Sequence, residues 1–515
     1  MIIPRPTELV RHSGTFVVAG GLHLVAGPGA EGPAELLAGY LGPRRRLQHG
    51  PTIRLDLWPR EKLGREGYEL RIAPNGILLV AATATGLCRG VQTLRQLLPP
   101  ETARGGVLRW PCLRVRDVPR LPWRGVLLDV ARYFMPLEFL REFVDLLALH
   151  KYNVLHLHLT DDQGWRFEVD GRPGLTEIGA WRAESMLGPA GSTRFDGTPH
   201  GGFYTQRELR DLVGFAAARG VRIVPEIDLP GHVRAALAAY PELGNHPERT
   251  LPVWTEWGIS PDILGMHDGA LEFCREVLGQ AADVFPARHL HIGGDECPPG
   301  QWAASPSARA RATGLGLTDT RALHGWFLGE MHEFLRGLGR QAIAWDETGH
   351  TAGSLPAGLT VAAWRDAAHG AQAVERGHQV IMAPHTSTYF DYRQDDGRDE
   401  PPLEPITTLE DVYHYDPLAE GLPAADPDDG GRAGVIGTQA QLWTEHAPTP
   451  DHVRHLAFPR LCALAETAWS DGPGDYAEFL ERLAGHLDLL SALDALPKER
   501  VRFADALPAP EKTTP

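Results

Sequence analysis

The sequence predicts an α/β protein: a (β/α)8 TIM barrel over residues 119–470, preceded by a smaller α+β domain (1–118) and followed by a helix and a Pro-rich tail (471–515). Three observations carry this prediction. From Trp123 to about Ser470, eight apolar, strand-sized runs alternate with stretches of helical periodicity, as buried parallel strands covered by helices require. Carboxylate, aromatic or basic residues follow each of those runs, where a barrel would gather them on its C-terminal rim. The first 118 residues show short alternating runs and hairpin signals instead.

In the first segment, Thr15–Val18, Leu22–Val25 and Thr52–Trp58 read as strands, and Tyr68–Ile72 and Ile77–Ala82 flank the turn Pro74–Asn75–Gly76. Helical spacing through Leu87, Val91, Leu94 and Leu98 stops at Pro99–Pro100, and Leu113–Pro122 reads as a link to the barrel. The barrel runs are Gly125–Val130, Val154–Leu159, Arg222–Ile227, His289–Ile292, Gln341–Trp345, Leu359–Trp364, Gln379–Met382 and Gly434–Leu442. Helices are expected at Leu137–His150, Gln206–Ala218, Leu271–Val284, Thr320–Leu338, His452–Trp469 and Asp475–Leu493, with a disordered tail over Leu507–Pro515.

At 43% hydrophobic and 23% charged residues, the 515-residue chain has the composition of a globular protein with a large core. A net charge of −16 argues against nucleic acid or an anionic membrane as a main partner, since both reward a basic face. No apolar run approaches the roughly 18 residues of a membrane span. Five scattered cysteines form neither a disulfide framework nor a zinc motif, so no metal or cofactor is implied and reduced thiols are expected. The opening MIIPRPTELVRHSG lacks the basic and apolar regions of a secretory leader, which points to the cytoplasm unless a leader has been removed.

The residues that close or follow the eight runs are, in order, Arg132; Asp161 and Asp162; Asp228 and His232; Asp295 and Glu296; Trp345, Asp346 and Glu347; Trp364; Tyr389 and Asp391; and Trp443 and Glu445. Carboxylates and tryptophans without a metal-spaced set of Cys or His suit a carbohydrate: aromatic faces stack on sugar C–H surfaces, and carboxylates serve as the acid/base groups of glycoside hydrolysis. Gly293–Gly294 before Asp295–Glu296 allows the strand end to bend, so that both carboxylates can serve one substrate. The charge of Asp295 is expected to keep Glu296 protonated.

The stretches LDVARYF (Leu128–Phe134), HKYNVLHLHLTDDQGWR (His150–Arg166), PEIDLPGH (Pro225–His232), HIGGDE (His291–Glu296), TYFDY (Thr388–Tyr392) and LWTE (Leu442–Glu445) resemble those of family 20 glycoside hydrolases, the β-N-acetylhexosaminidases. The likeness extends to the first domain through Pro74–Leu98. It implies an exo-acting retaining enzyme that removes terminal β-linked GlcNAc or GalNAc, in which the substrate's acetamido group attacks the anomeric carbon and forms an oxazolinium ion. By the same resemblance Glu296 is the general acid/base, Asp295 orients the acetamido N–H and Tyr389 binds its carbonyl. Trp345, Trp364 and Trp443 wall the pocket, Arg132, Asp391 and Glu445 hold sugar hydroxyls, and Asp161 and His232 stand behind the catalytic pair. A glycosidase with Asp391 or Glu347 as covalent nucleophile, release of disaccharide units, and a sugar-binding module without catalysis are the alternatives.

Blander readings apply elsewhere. His156, His158, His289 and His291 read as structural barrel histidines, Cys297 as an inert filler, and Arg44–Arg46 as a solvated face. Asp346–Glu347 is the rival nucleophile, with loop hydrogen bonding the stronger expectation. Trp254 and Trp257 read as loop packing or an outer sugar subsite.

Overall fold

The structure is a computed structural model that describes residues 2–42, 47–59, 61–99, 107–347, 355–397, 399–428, 430–498, 501 and 503. Arg44–Arg46 and Leu507–Pro515 lie outside the described residues.

The N-terminal layer is a six-stranded sheet built from β1 (Glu8–Val18), β2 (His23–Ala26), β3 (Thr52–Leu57), β4 (Tyr68–Ala73), β5 (Gly76–Ala81) and β6 (Leu108–Asp117), in the order β1-β6-β4-β5-β3-β2. Helices α1 (Glu31–Leu41) and α2 (Ala84–Gln96) complete its core with Leu37, Leu87, Val91 and Leu94. The segment read as a link from Leu113 is therefore corrected: through Asp117 it belongs to β6, which pairs with both β1 and β4. Its alternation, Arg114 out, Val115 in, Arg116 half out, is that of a half-buried strand.

Eight parallel strands close the barrel: β7 (Trp123–Asp129), β8 (Val154–His158), β9 (Arg222–Glu226), β10 (His289–His291), β11 (Gln341–Trp345), β12 (Thr360–Ala363), β13 (Gln379–Met382) and β14 (Gly434–Leu442), with β14 pairing β7. Each overlaps one of the eight predicted runs. Its interior is packed at the base by Trp123, Leu127, Val154 and Val224 and toward the rim by Trp345, with Trp364 and Trp443 against them. The outer helices include α3 (Leu137–Leu149), α4 (Gln206–Ala217), α5 (Asp268–Val284) and α6 (Leu323–Gly337). Thr205 and Glu208 form a reciprocal capping box that starts α4.

The helix expected over His452–Trp469 is two helices, Pro450–Ala457 and Arg460–Trp469. Pro459 has no N–H to give the first of them and stands at the N-cap of the second. The second ends in Trp469, which is 1% exposed and packs into the core of the N-terminal sheet. Its indole N–H donates to Asp117 Oδ1 (2.8 Å), and the Lys151 ammonium lies 4.7 Å from its ring and 2.6 Å from Asp117 Oδ2. A last helix, Tyr476–Ala492, is capped by the Asp475 side chain. No helix among the described residues is long and apolar enough to cross a membrane, and all five cysteines are unpaired.

Candidate active site

The strand β10 stops at His291 because the chain must turn. Gly293 and Gly294 have φ of +65° and +94°, and a Cβ on Gly293 would lie 1.7 Å from Asp228 Oδ1. Only glycine fits that approach. Glu296 itself has φ +43°, so Asp295 and Glu296 leave the barrel on a bent segment, not as alternating strand residues.

A continuous set of contacts runs from Glu296 round the rim. Its Oε2 lies 3.6 Å from His232 Nε2, and Asp295 Oδ2 lies 3.9 Å from the same nitrogen. His232 Nδ1 meets Asp161 Oδ1 and Asp162 Oδ2, each at 3.2 Å. Asp161 Oδ2 accepts from Arg132 Nη2 (2.9 Å). Arg132 is further fixed by Asp129 (3.2 Å) and Gln163 (3.1 Å), reaches Glu445 Oε1 at 3.7 Å, and lies 5.0 Å from the ring of Trp443. The Tyr389 backbone bridges to Gln441 at the end of β14, and its ring centroid is 6.2 Å from Trp364 and 6.3 Å from Trp443. Trp443 lies 6.1 Å from Trp345. Burial, then the charges of Asp391 and Asp295, push the Tyr389 phenol up. The eleven residues to which the family resemblance gives roles are thus brought to one rim.

The electrostatics correct one expectation. Burial pushes Asp295 up to about 7, reinforced by Glu296 and opposed by His232. Glu296 is held below the ordinary glutamate value: burial would raise it, but the hydrogen bond and charge of His232 outweigh that. His232 loses charge to burial but regains it from Asp161, Asp162 and Glu296, which together hold it well above the usual histidine range. The side chain of Glu296 is 33% exposed and that of Asp295 only 17%. Water and an imidazolium therefore favour the charge on Glu296, and burial favours the proton on Asp295.

The sequence reading passed over Glu226 in the barrel interior. Trp345 Nε1 donates to its Oε1 (2.8 Å), and His291 Nδ1 lies 2.9 Å from the same atom. Its Oε2 meets His156 Nε2 (3.0 Å) and His158 Nδ1 (2.5 Å), while His158 Nε2 reaches Asp161 Oδ2 (2.9 Å). The three histidines thus surround one carboxylate whose pKa they lower strongly against its burial. Its signal was a carboxylate inside an apolar parallel-strand run, facing two inward histidines. His156, Glu226 and His291 bring ligand atoms close enough for a cation, and among the described residues His156 Nε2 and His291 Nε2 are buried without a hydrogen-bond partner. His289 lies lower, edge-on to Trp123 at 5.4 Å.

Glu347 is engaged by both oxygens with Arg365 Nη2 (2.8 Å each), and Asp346 Oδ1 accepts from the Trp364 backbone (3.1 Å). Trp257 is buried and donates to Met186 O, whereas Trp254 is half-buried with Arg234 5.8 Å from its ring. Burial raises the Cys297 thiol well above its usual value, which keeps it an unreactive neighbour of Glu296.

Comparison with known proteins agrees with this geometry. The profile described as "Glycosyl hydrolase family 20, catalytic domain" matches residues 121–472, and that described as "Glycosyl hydrolase family 20, domain 2" matches residues 1–118. A beta-hexosaminidase of Porphyromonas gingivalis is 35% identical over 504 residues, covering 94% of this chain and 62% of its own length. One from Akkermansia muciniphila is 35% identical over 479 residues, covering 91% and 93%. Among solved structures, the GH20 exo β-N-acetylglucosaminidase of Vibrio harveyi in complex with N-acetylglucosamine superposes with a TM-score of 0.84 at 32% identity, covering 97% of this chain and 78% of that one. The GH20 β-N-acetylhexosaminidase of Streptomyces coelicolor A3(2) gives 0.79 at 31% identity, covering 96% of each. The chain belongs to glycosyl hydrolase family 20, the β-N-acetylhexosaminidases.

Proposed function

We propose that the protein removes single terminal, non-reducing β-linked GlcNAc or GalNAc residues with retention of configuration, the substrate's acetamido oxygen acting as nucleophile. The observation that carries this reading is the cluster of rings at the rim, with Tyr389 6.2 Å from Trp364 and 6.3 Å from Trp443, on the same rim as Asp295. It offers an apolar box with one carboxyl and one phenol, which suits an acetamide. Glu296 would protonate the glycosidic oxygen as the C1–O bond breaks and the acetamido oxygen bonds to C1, giving an oxazolinium ion. Asp295 would hold the N–H and Tyr389 the carbonyl oxygen. Water would then attack C1 while Glu296 takes its proton, and the acetamide is released intact.

The other rim carboxyls are poor nucleophiles. Arg365 occupies Glu347, and burial together with Glu445 holds Asp391 well above the usual carboxylate range. Arg132, pinned between Asp129, Asp161 and Glu445, favours a pocket closed behind one sugar, with Asp391 and Glu445 as further partners for its hydroxyls. His232 and Asp161 would set the charge of the pair from behind. The test compares nitrophenyl β-glycosides of GlcNAc, GalNAc and glucose, with a thiazoline analogue of the intermediate as inhibitor. Turnover of both acetamido sugars, an inert glucoside and tight thiazoline binding are expected. Glucoside turnover at a comparable rate, or no inhibition, would overturn the reading.

A further inference from the structure

At the end of the barrel opposite the sugar pocket, the N-terminal layer and the strand starts enclose a cavity of about 840 Å³. Its walls come from the loop around Arg65 on one side and, on the other, from Arg222 at the start of β9, Arg288 just before β10 and the segment that leads into β14. Four arginines and a lysine line it against three carboxylates, in a chain that is strongly acidic overall. Even those carboxylates are largely engaged. Glu66 bonds Arg89 (2.8 Å) and Arg124 behind the wall, and Asp428 is shared between Arg65 and Arg288 at 3.0 Å each.

Two guanidiniums are left without full compensation. Among the described residues Arg222 has no hydrogen-bonded or ion-paired partner, and rests only against the ring of Trp123 at 5.7 Å. Arg120 gives one nitrogen to Asp416 (2.8 Å), while its Nη1 is buried with no acceptor. Neighbouring groups register the excess of positive charge. Burial lowers Arg222 from its usual value, and Arg65 and Arg89 add to the effect against Glu66 and Asp428. Burial, then Arg222 and Arg288, push His289 down to about 3. A half-buried guanidinium with no ion-pair partner leaves its donors free for an anion, and its planar fork matches the oxygens of phosphate or carboxylate.

We propose that this cavity binds a small multivalent oxoanion of the phosphate class, held by Arg222 and Arg288. Its volume falls in the range of small-molecule sites, so the phosphate can be free or carried on a sugar. Because the walls belong to both layers, a bound anion would tie the N-terminal sheet to the barrel base without touching the sugar pocket.

The test is thermal unfolding and titration calorimetry of the full chain with sodium phosphate and with glucose 6-phosphate, against sodium chloride at matched ionic strength. A saturable rise in Tm with either phosphate, accompanied by binding heat and absent with chloride, is expected. Arg222→Gln should abolish the response and Arg288→Gln should weaken binding at least about tenfold, the loss of one charge-assisted contact. Neither should change kcat/KM on the GlcNAc glycoside. Tighter binding of the sugar phosphate would assign the site to an ester, and equal binding to the free anion. A response that chloride reproduces, or one that Arg222→Gln and Arg288→Gln both leave intact, would overturn the proposal. Should Arg222→Gln fail to fold, calorimetry on Arg288→Gln alone decides.

Discussion

Asp295 at the rim and Glu66 at the base are both buried carboxyls, yet their neighbours drive them in opposite directions. Glu66 is brought down to about 2, because Arg124 and Arg89 outweigh its burial. Asp295 is pushed up to about 7, because its burial is reinforced by Glu296 and answered only by His232. At the base the chain supplies the counter-charge and gains a joint between two layers. At the rim it withholds the counter-charge and leaves a group whose proton can be displaced by a ligand. Perturbed ionisation marks both places, and for these two carboxyls the sign follows from whether the chain supplies the counter-charge.

The largest test of that contrast is Glu296→Gln. It should lower kcat/KM by about 10²- to 10⁴-fold on poor leaving groups, with less effect on a nitrophenyl glycoside and little on product affinity; an unimpaired variant would remove Glu296 from the reaction. At the other pole, Glu66→Ala leaves Arg89 and Arg124 buried without their carboxylate, and should cost about 3–5 kcal/mol in denaturant unfolding with kcat unchanged at low temperature. The same residue predicts acid sensitivity. Its folded pKa lies below the unfolded value of 4.5, so its stabilisation, on the order of 3 kcal/mol, is complete above about pH 4.5 and is lost as pH falls toward about 2. Glu66→Gln should flatten that limb of the stability curve.

Asp295→Asn should act with the opposite sign. A carboxyl raised to about 7 binds its proton more tightly in the folded state, so stability falls as pH rises from about 4 to 7, and the amide should raise Tm at pH 8. The reaction requires one proton on the Asp295–Glu296 pair, carried by Glu296. The wild-type kcat/KM profile should therefore be bell-shaped, with its alkaline limb near 7. In Asp295→Asn the remaining activity should decline from below pH 4.5, where Glu296 alone titrates; a limb fixed near 7 would assign it to another group. The smallest change expected is Glu347→Gln. It removes one charge-assisted pair with Arg365, worth about 1.5 kcal/mol or tenfold in rate, whereas loss of a covalent nucleophile would stop turnover.

The eight barrel strands were legible because a strand buried on both faces is mostly apolar, and because each run ends at or beside a residue that would be out of place in a core. The strand β6 was not read at Leu108–Asp117: Pro111 and four charged residues mask an alternation that serves a sheet with one open face. Helix α1 passed unread because Gly32 and Pro33 stand in its first turn. The site residues could be picked out by type and position, but the order of proton affinities within the pair could not. That order depends on the 3.6 Å approach of His232, a residue 64 positions away in the chain whose charge is set by Asp161 and Asp162.

Trp469 carries a practical consequence. It is the last residue of a barrel helix, but its ring fills the core of the N-terminal sheet and its N–H is held by Asp117. Sequence families divide the chain into two parts near residue 120; cohesion does not follow that division. A barrel excised there would present a bare indole and the unpaired Lys151 ammonium to water, and would aggregate sooner than fold. Engineers who wish to graft this catalyst onto another module should treat the sheet as part of the catalyst's foundation and cut elsewhere.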